Sequence, residues 1–285
     1  MMQYSCGGEV SSRLHRIYHE LATASSLEPC ERVDQLFNQL VGLTLAGEHV
    51  AEHVLADPIV CAIRENLWWV CSRGEFALES YWSARIAAAA EPWAELRQFP
   101  YYGNYAKLAR LELYALRGAG TENRARILFI GCGPLPLTSI VMSADYSLEV
   151  ANFDIDASAC TRAREVVDRL GLRQQIAIEQ RDAFVADDLC EFDVVCVAAL
   201  VGMNRREKKR LFDHLARCMR PGAILLARTS RSLRTLLYPC VDSDHLGAFE
   251  LVVEIHPHDE IINSVLIARC IGDGRQPPEE SWQIY

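Results

Sequence analysis

Two glycines, at 131 and 133, and two aspartates, at 154 and 182, are the residues whose types and spacing suggest binding chemistry. Gly131-Cys132-Gly133-Pro134 lets the backbone turn sharply and leaves room for a ligand against the main chain. Asp154 stands about 20 residues further on, where an acidic side chain suits a pair of ribose hydroxyls. Asp156 is less well placed for that role and also suits the N-cap of a helix over 157–170. Asp182, with apolar Ala183 beside it, offers an acceptor for an adenine amino group, and it equally suits the capping of a short turn. Ile155 joins these as an apolar neighbour of Asp154, and Pro134 and Thr138 extend the glycine loop. Leu135-Pro136-Leu137 fills the place where a GxGxxG fingerprint carries its third glycine. That points away from NAD and towards S-adenosylmethionine, whose methyltransferase-type domains use a looser GxG loop. A GxG alone also fits an ordinary βα turn.

The elements that must hold these residues alternate. Apolar runs at 127–130, 148–153, 175–180, 192–198 and 223–227 read as strands, with helical segments between several of them, which implies a parallel sheet. The glycines follow the first strand, Asp154 is the first residue off the second, and Asp182 follows the third, at the carboxyl edge where open α/β sheets bind ligands. Pro136 fits the first turn of the next helix. Ala198 and Leu200, in the small-residue stretch 198–203 past the fourth strand, suit the methionine part of such a ligand or simple packing on the core. Runs at 249–255 and 264–270 read as a closing antiparallel pair. Before all of this, residues 10–117 read as helices: Leu14, Ile17 and Leu21, then Val33, Leu36, Phe37, Leu40 and Val41, recur at helical spacing. Pro29 and Pro58 punctuate them, and 64–90 is a long helical stretch interrupted at Gly74. Turn-rich residues 118–123 form the joint. The expected organisation is an all-α helical domain over 1–120 that covers the site, followed by an α/β Rossmann-like domain over 121–285 that binds S-adenosylmethionine.

At 285 residues, half of them hydrophobic, the chain has a sizeable interior. A net charge of −9 with no basic block argues against nucleic acid, because phosphate neutralisation needs clustered Lys and Arg. No apolar run approaches ~18 residues, which argues against a membrane span. The N-terminus lacks the apolar region of a signal peptide, so a cytoplasmic location is expected. The 11 cysteines are scattered without metal-binding spacing and read as small buried hydrophobes in a reducing compartment. His256 and His258 flank Pro257 on a tight turn without a distant partner set, so no metal is expected on the protein.

Several stretches together resemble the nicotianamine synthase family: 131–139 (GCGPLPLTS), 152–156 (NFDID), 198–203 (AALVGM), 237–242 (LYPCVD), 256–265 (HPHDEIINSV), 99–105 (FPYYGNY) and 75–79 (EFALE). The resemblance covers roughly 69–269, and Cys132 stands where many relatives carry serine. It implies transfer of the 3-amino-3-carboxypropyl group of S-adenosylmethionine, not its methyl, to an amine, with release of methylthioadenosine. The acceptor it implies is an amino acid, either histidine or a second S-adenosylmethionine, in metallophore biosynthesis. A downstream opine-type dehydrogenase and a homodimer are further expectations.

Under that resemblance the base is expected among Glu75 and Glu79, one turn apart on a helix, and Tyr101 and Tyr105, spaced the same way. An acceptor ammonium must lose a proton before its nitrogen attacks, and a carboxylate with a tyrosine can take it. Glu79 and Tyr105 are the favoured pair, Glu75 and Tyr101 the second candidates. The glycine loop alone also allows an ordinary methyltransferase, and a non-catalytic S-adenosylmethionine-binding protein is the third possibility.

Overall fold

The computed structural model describes residues 2–45, 48–122 and 124–272. Its first half is helical: α1 (Met2–Ala22), α2 (Glu31–Thr44), α3 (Ala51–Ala56), α4 (Pro58–Ala88), α5 (Pro92–Leu96) and α6 (Tyr102–Gly118). Leu14, Ile17 and Leu21 of α1 and Leu36, Leu40 and Leu43 of α2 pack on Val60, Leu67 and Val70 of α4. α4 starts where it does because Asp57 caps it, its carboxylate accepting from the Ile59 amide at 2.8 Å, and because Pro58 fits the first helical position. It is one unbroken helix of 31 residues. The interruption expected at Gly74 is absent, because packing on several sides outweighs the low propensity of one glycine. Among the described residues, no helix is long and apolar enough to cross a membrane.

The second half alternates β1 (Ile127–Ile130), α7 (Leu137–Tyr146), β2 (Val150–Asp154), α8 (Ala157–Arg169), β3 (Ile176–Gln180), β4 (Val194–Val197), α9 (Arg205–Cys218), β5 (Ile224–Thr229), α10 (Ser243–Leu246), β6 (Phe249–Ile255) and β7 (Ser264–Cys270). These strands form one seven-stranded sheet of order β3-β2-β1-β4-β5-β7-β6. β1 to β5 run parallel, and β7 runs antiparallel to both β5 and β6. β1 and β4 are buried at every position, as strands covered on both faces must be. The strand order reverses at β1, which puts the β1–α7 loop at the crevice where doubly wound sheets bind ligands. The helical half reaches this crevice directly. Trp82 and Ile86 of α4 and Leu108 and Leu113 of α6 share one core with Ile127 and Phe129 of β1. Ser83 of α4 donates to the Pro134 carbonyl at 2.7 Å, tying the helix to the glycine loop.

Candidate active site

The glycine loop is shaped by its neighbours. Gly131 and Gly133 have φ of +82° and +65°, left-handed values that side chains resist. A Cβ on Gly131 would run into Val201, and one on Gly133 into the Glu79 carboxylate. Asp154 is the last residue of β2, not the first beyond it as expected. Its two oxygens accept from the Gly133 amide at 2.8 Å and the Asp156 amide at 3.0 Å. A carboxylate has about four acceptor sites, so capacity remains for a diol. Asp156 is the N-cap of α8, accepting from the Ala159 amide at 2.8 Å, and that bond holds its carboxyl below the usual range. Asp182 closes a turn by accepting from the Phe184 amide at 2.9 Å while also lining the crevice.

A cavity of about 350 Å³ opens here. Gly131, Cys132, Gly133, Pro134, Thr138, Asp154, Ile155, Asp182, Ala183, Ala198 and Leu200 all line it, as do Glu75, Glu79 and Tyr105. Ile155 is 66% exposed beside Asp154, an apolar surface available to a flat ring. Cys132 is buried, and burial, followed by Asp154, pushes its thiol well above the usual range, which disfavours the thiolate. Thr138 turns out to serve Arg228: its hydroxyl accepts from the guanidinium at 2.7 Å. Arg228, on β5, pairs twice with Glu112 of α6, at 2.7 and 3.1 Å, and both residues are buried. Burial opposes the charge of Arg228, and Glu112 more than offsets that. Lys208 of α9 is fully buried and donates to the carbonyls of Ala199 and Val201 at 2.8 and 2.7 Å, which fixes the 198–203 loop against Gly131.

α4 supplies the carboxylates and divides the space. Its positions 72, 75, 76 and 79 face the first cavity, and 71, 74, 75, 78 and 79 face a second one of about 600 Å³. Helical periodicity puts Glu75 and Glu79 on the seam between these two stripes, so both line both cavities. Tyr238 donates to Glu75 at 2.5 Å. Burial lifts Glu75 to about 7, against the pull of Tyr238 and Arg228. Burial, then Glu75, lifts Glu79 well above the usual carboxylate range, and the Leu135 amide opposes this. Tyr105, on α6, lies over Arg228 with 5.8 Å between guanidinium and ring centroid, and its hydroxyl is raised by burial and by both glutamates. Tyr101 stands apart from the first cavity. It precedes α6 as the N-cap residue, packs edge-on against Phe99 at 6.0 Å and lines the second cavity.

The loop between β6 and β7 closes the second cavity with Glu260, Ile262 and Asn263. Arg234 holds that loop by donating to the carbonyls of Pro257, Asp259 and Ile261 at 2.5 to 2.8 Å. From α6, Asn104 donates to the Glu260 carbonyl at 2.8 Å and Lys107 pairs with the Glu260 carboxylate. His256 spends its ring on Ser264 and Glu254, at 2.8 and 3.3 Å. Arg228, Tyr238 and Asn263 line the cavity and Lys208 supports its 198–203 loop, and none of the four is among the residues expected from the sequence. Arg228 was signalled by its place inside an apolar strand, and Lys208 carried no signal on its charged helix.

A family model described as nicotianamine synthase protein matches residues 8–273 of the chain. Nicotianamine synthase 2 of Arabidopsis thaliana is 37% identical over 269 residues, covering 92% of this chain and 84% of that protein. Nicotianamine synthase of Solanum lycopersicum is 36% identical, covering 91% and 83%. Among solved structures, MtNAS in complex with MTA and tNA superposes with a TM-score of 0.78 at 24% identity, over 95% of this chain and 98% of that one. A glutamate-to-glutamine variant of MtNAS in complex with S-adenosylmethionine gives 0.76, over 92% and 98%. These two structures share the present fold.

Proposed function

This chain belongs to the nicotianamine synthase family, and from that premise we propose how its residues carry out the transfer. It is an S-adenosylmethionine-dependent aminocarboxypropyl transferase that makes nicotianamine. One observation carries the reading: two carboxylates of a single helix stand between a glycine-loop cavity and a second cavity. The cradle fits the nucleoside, since both loop glycines are crowded by neighbours a Cβ would strike and Asp154 keeps acceptor capacity. Asp154 holds the ribose, Asp182, Ala183 and Ile155 the adenine, and Ala198 and Leu200 the methionine arm. When bound, the sulfonium supplies an activated γ-carbon, so that an N–Cγ bond forms as Cγ–S breaks and the electron pair leaves on methylthioadenosine. The second cavity takes the acceptor amine, a second S-adenosylmethionine or histidine. Residues up to about 120 cover the site and 121–285 bind the nucleoside.

Glu79, pressed against Gly133, is the nearer of the two α4 carboxylates to the glycine loop. It takes the proton of the acceptor ammonium, with Tyr105 orienting the nitrogen and the Glu75–Tyr238 pair receiving the proton onward. Burial keeps these carboxyls protonated, and two entering cations favour the ionised forms. Arg228 is hydrogen-bonded to Glu112 and Thr138, and its charge at a distance also favours the ionised forms of both glutamates. Incubation with S-adenosylmethionine, alone and with each histidine enantiomer, followed by mass spectrometry, tests the reading. Methylthioadenosine and nicotianamine are expected, whereas S-adenosylhomocysteine would mean methylation and overturn it.

The pH profile follows from the same groups. Glu75 is raised to about 7 and Glu79 is raised in the same direction, so acidification below about 7 protonates Glu75 and removes the acceptor for the onward proton. kcat/KM should rise with pH through about 7, and Glu75→Gln should move that limb. A rate that stays flat from pH 5.5 to 8 in the wild type would remove these glutamates from the proton transfer.

A further inference from the structure

Glycine is costlier than alanine inside a helix, because it has more backbone freedom to lose. Gly74 nevertheless sits in the middle of α4, without the left-handed φ that would require glycine. The reason lies across the gap. A Cβ built on Gly74 would stand 2.7 Å from Cε2 and 2.9 Å from Cε1 of Phe37, and closer still to Cζ. Carbon atoms in good contact sit about 3.5–4.0 Å apart, so the ring would have to move. Phe37 projects from α2, where Leu36 and Leu40 belong to the buried core it packs against. Open space exists on the other side: Phe37 and Gly74 both line the second cavity, and Gly74 adjoins Glu75.

We propose that the Phe37–Gly74 contact sets the size of the acceptor chamber, and thereby how large an acceptor can present its amine to Glu75 and Glu79. The absence of a side chain at 74 lets the ring lie close against α4 and leaves room for an amino acid already lengthened by one transferred group. The proposal rests on the reading of the second cavity as the acceptor chamber. It adds a specificity-determining pair remote from the nucleoside.

The test compares wild type, Gly74→Ala, Phe37→Ala and the double variant with S-adenosylmethionine as sole substrate. Mass spectrometry reads the ratio of products carrying two or more transferred groups to those carrying one. Gly74→Ala should lower that ratio on the order of tenfold or more, the scale of one methyl group in a specificity pocket. Adding Phe37→Ala should restore it, and Phe37→Ala alone should hold or raise it. Affinity for methylthioadenosine, by calorimetry, reports the nucleoside cavity and should not change. An unchanged ratio with unchanged affinity overturns the proposal and leaves the functional reading standing. The proposal also falls if the double variant keeps the Gly74→Ala defect, since the helix and not the ring would then be responsible. A fall in methylthioadenosine affinity with the ratio intact would instead show that the second cavity is not the acceptor's. Should Gly74→Ala fail to fold, the double variant decides, and a lowered ratio there overturns the proposal.

Discussion

Glu79→Gln is expected to bind S-adenosylmethionine normally and to lose turnover by ~10²-fold or more, the usual scale for removal of a general base. Glutamine keeps the shape of the side chain and an acceptor for the Leu135 amide that now opposes protonation of Glu79. What it removes is the ability to take a proton. The position is specific: the Glu79 carboxylate is the atom group that a Cβ on Gly133 would strike, which sets it beside the glycine loop. Glu75 lies one turn away and is already engaged by Tyr238 at 2.5 Å, so it is better placed to receive a proton than to meet the acceptor first. Single-turnover kinetics with S-adenosylmethionine should therefore show a slow chemical step in Glu79→Gln and a milder loss in Tyr105→Phe. Wild-type turnover in Glu79→Gln, with Glu75→Gln inactive, would exchange the roles of the two glutamates. Wild-type rates in both at every pH would mean that no carboxylate on α4 is the base.

Asp154→Ala should weaken binding of S-adenosylmethionine, and of methylthioadenosine, by about 2–4 kcal/mol, the loss of one or two charge-assisted hydrogen bonds. That is roughly 30- to 1000-fold in Kd. The effect has two sources. The ribose loses its acceptor, and the loop loses the carboxylate that gathers the Gly133 and Asp156 amides. Asp154→Asn separates them, because it retains one acceptor oxygen for the loop and lacks the charge. A loss nearly as large in Asn as in Ala, with the Gly133 and Asp156 amide NMR shifts unchanged, assigns the effect to the ribose. Unchanged affinity in Asp154→Ala, by calorimetry on a variant with wild-type circular dichroism, would remove Asp154 from nucleoside binding.

Much of the glycine-loop cavity was legible in the chain because it is local. The glycine loop, its strand and helix and the acid ending the next strand lie within 127–156, and the strand periodicity that orders them is short-range. Parallel pairing followed from alternation of strands and helices, and the antiparallel β6–β7 pair from two apolar runs close together at the end. Strand ends drifted by a residue or two, which is why Asp154 was expected just past β2 and lies at its last position.

The second cavity was decided by tertiary structure. A sequence tells which residues share a stripe of a helix but not what each stripe faces. α4 is apolar on several sides, so its pattern does not mark one buried face, and only the packing of α2, α6 and the glycine loop around it sets Glu75 and Glu79 on a seam between two cavities. Tyr101 and Tyr105 share a helical spacing and both line the second cavity, yet only Tyr105, a full turn into α6, also reaches the first. The remaining partners are remote in the chain. Tyr238 is 163 residues from Glu75, and Arg228 is 116 from Glu112. A buried ion pair shows in a sequence only as two charges in apolar company, with nothing to say that they meet. The residues 75–79 were therefore readable as an acidic turn with a resemblance attached, while their surroundings, Tyr238 on Glu75 among them, required the chain to close on itself, because hydrogen-bond partners brought together by folding leave no periodicity behind.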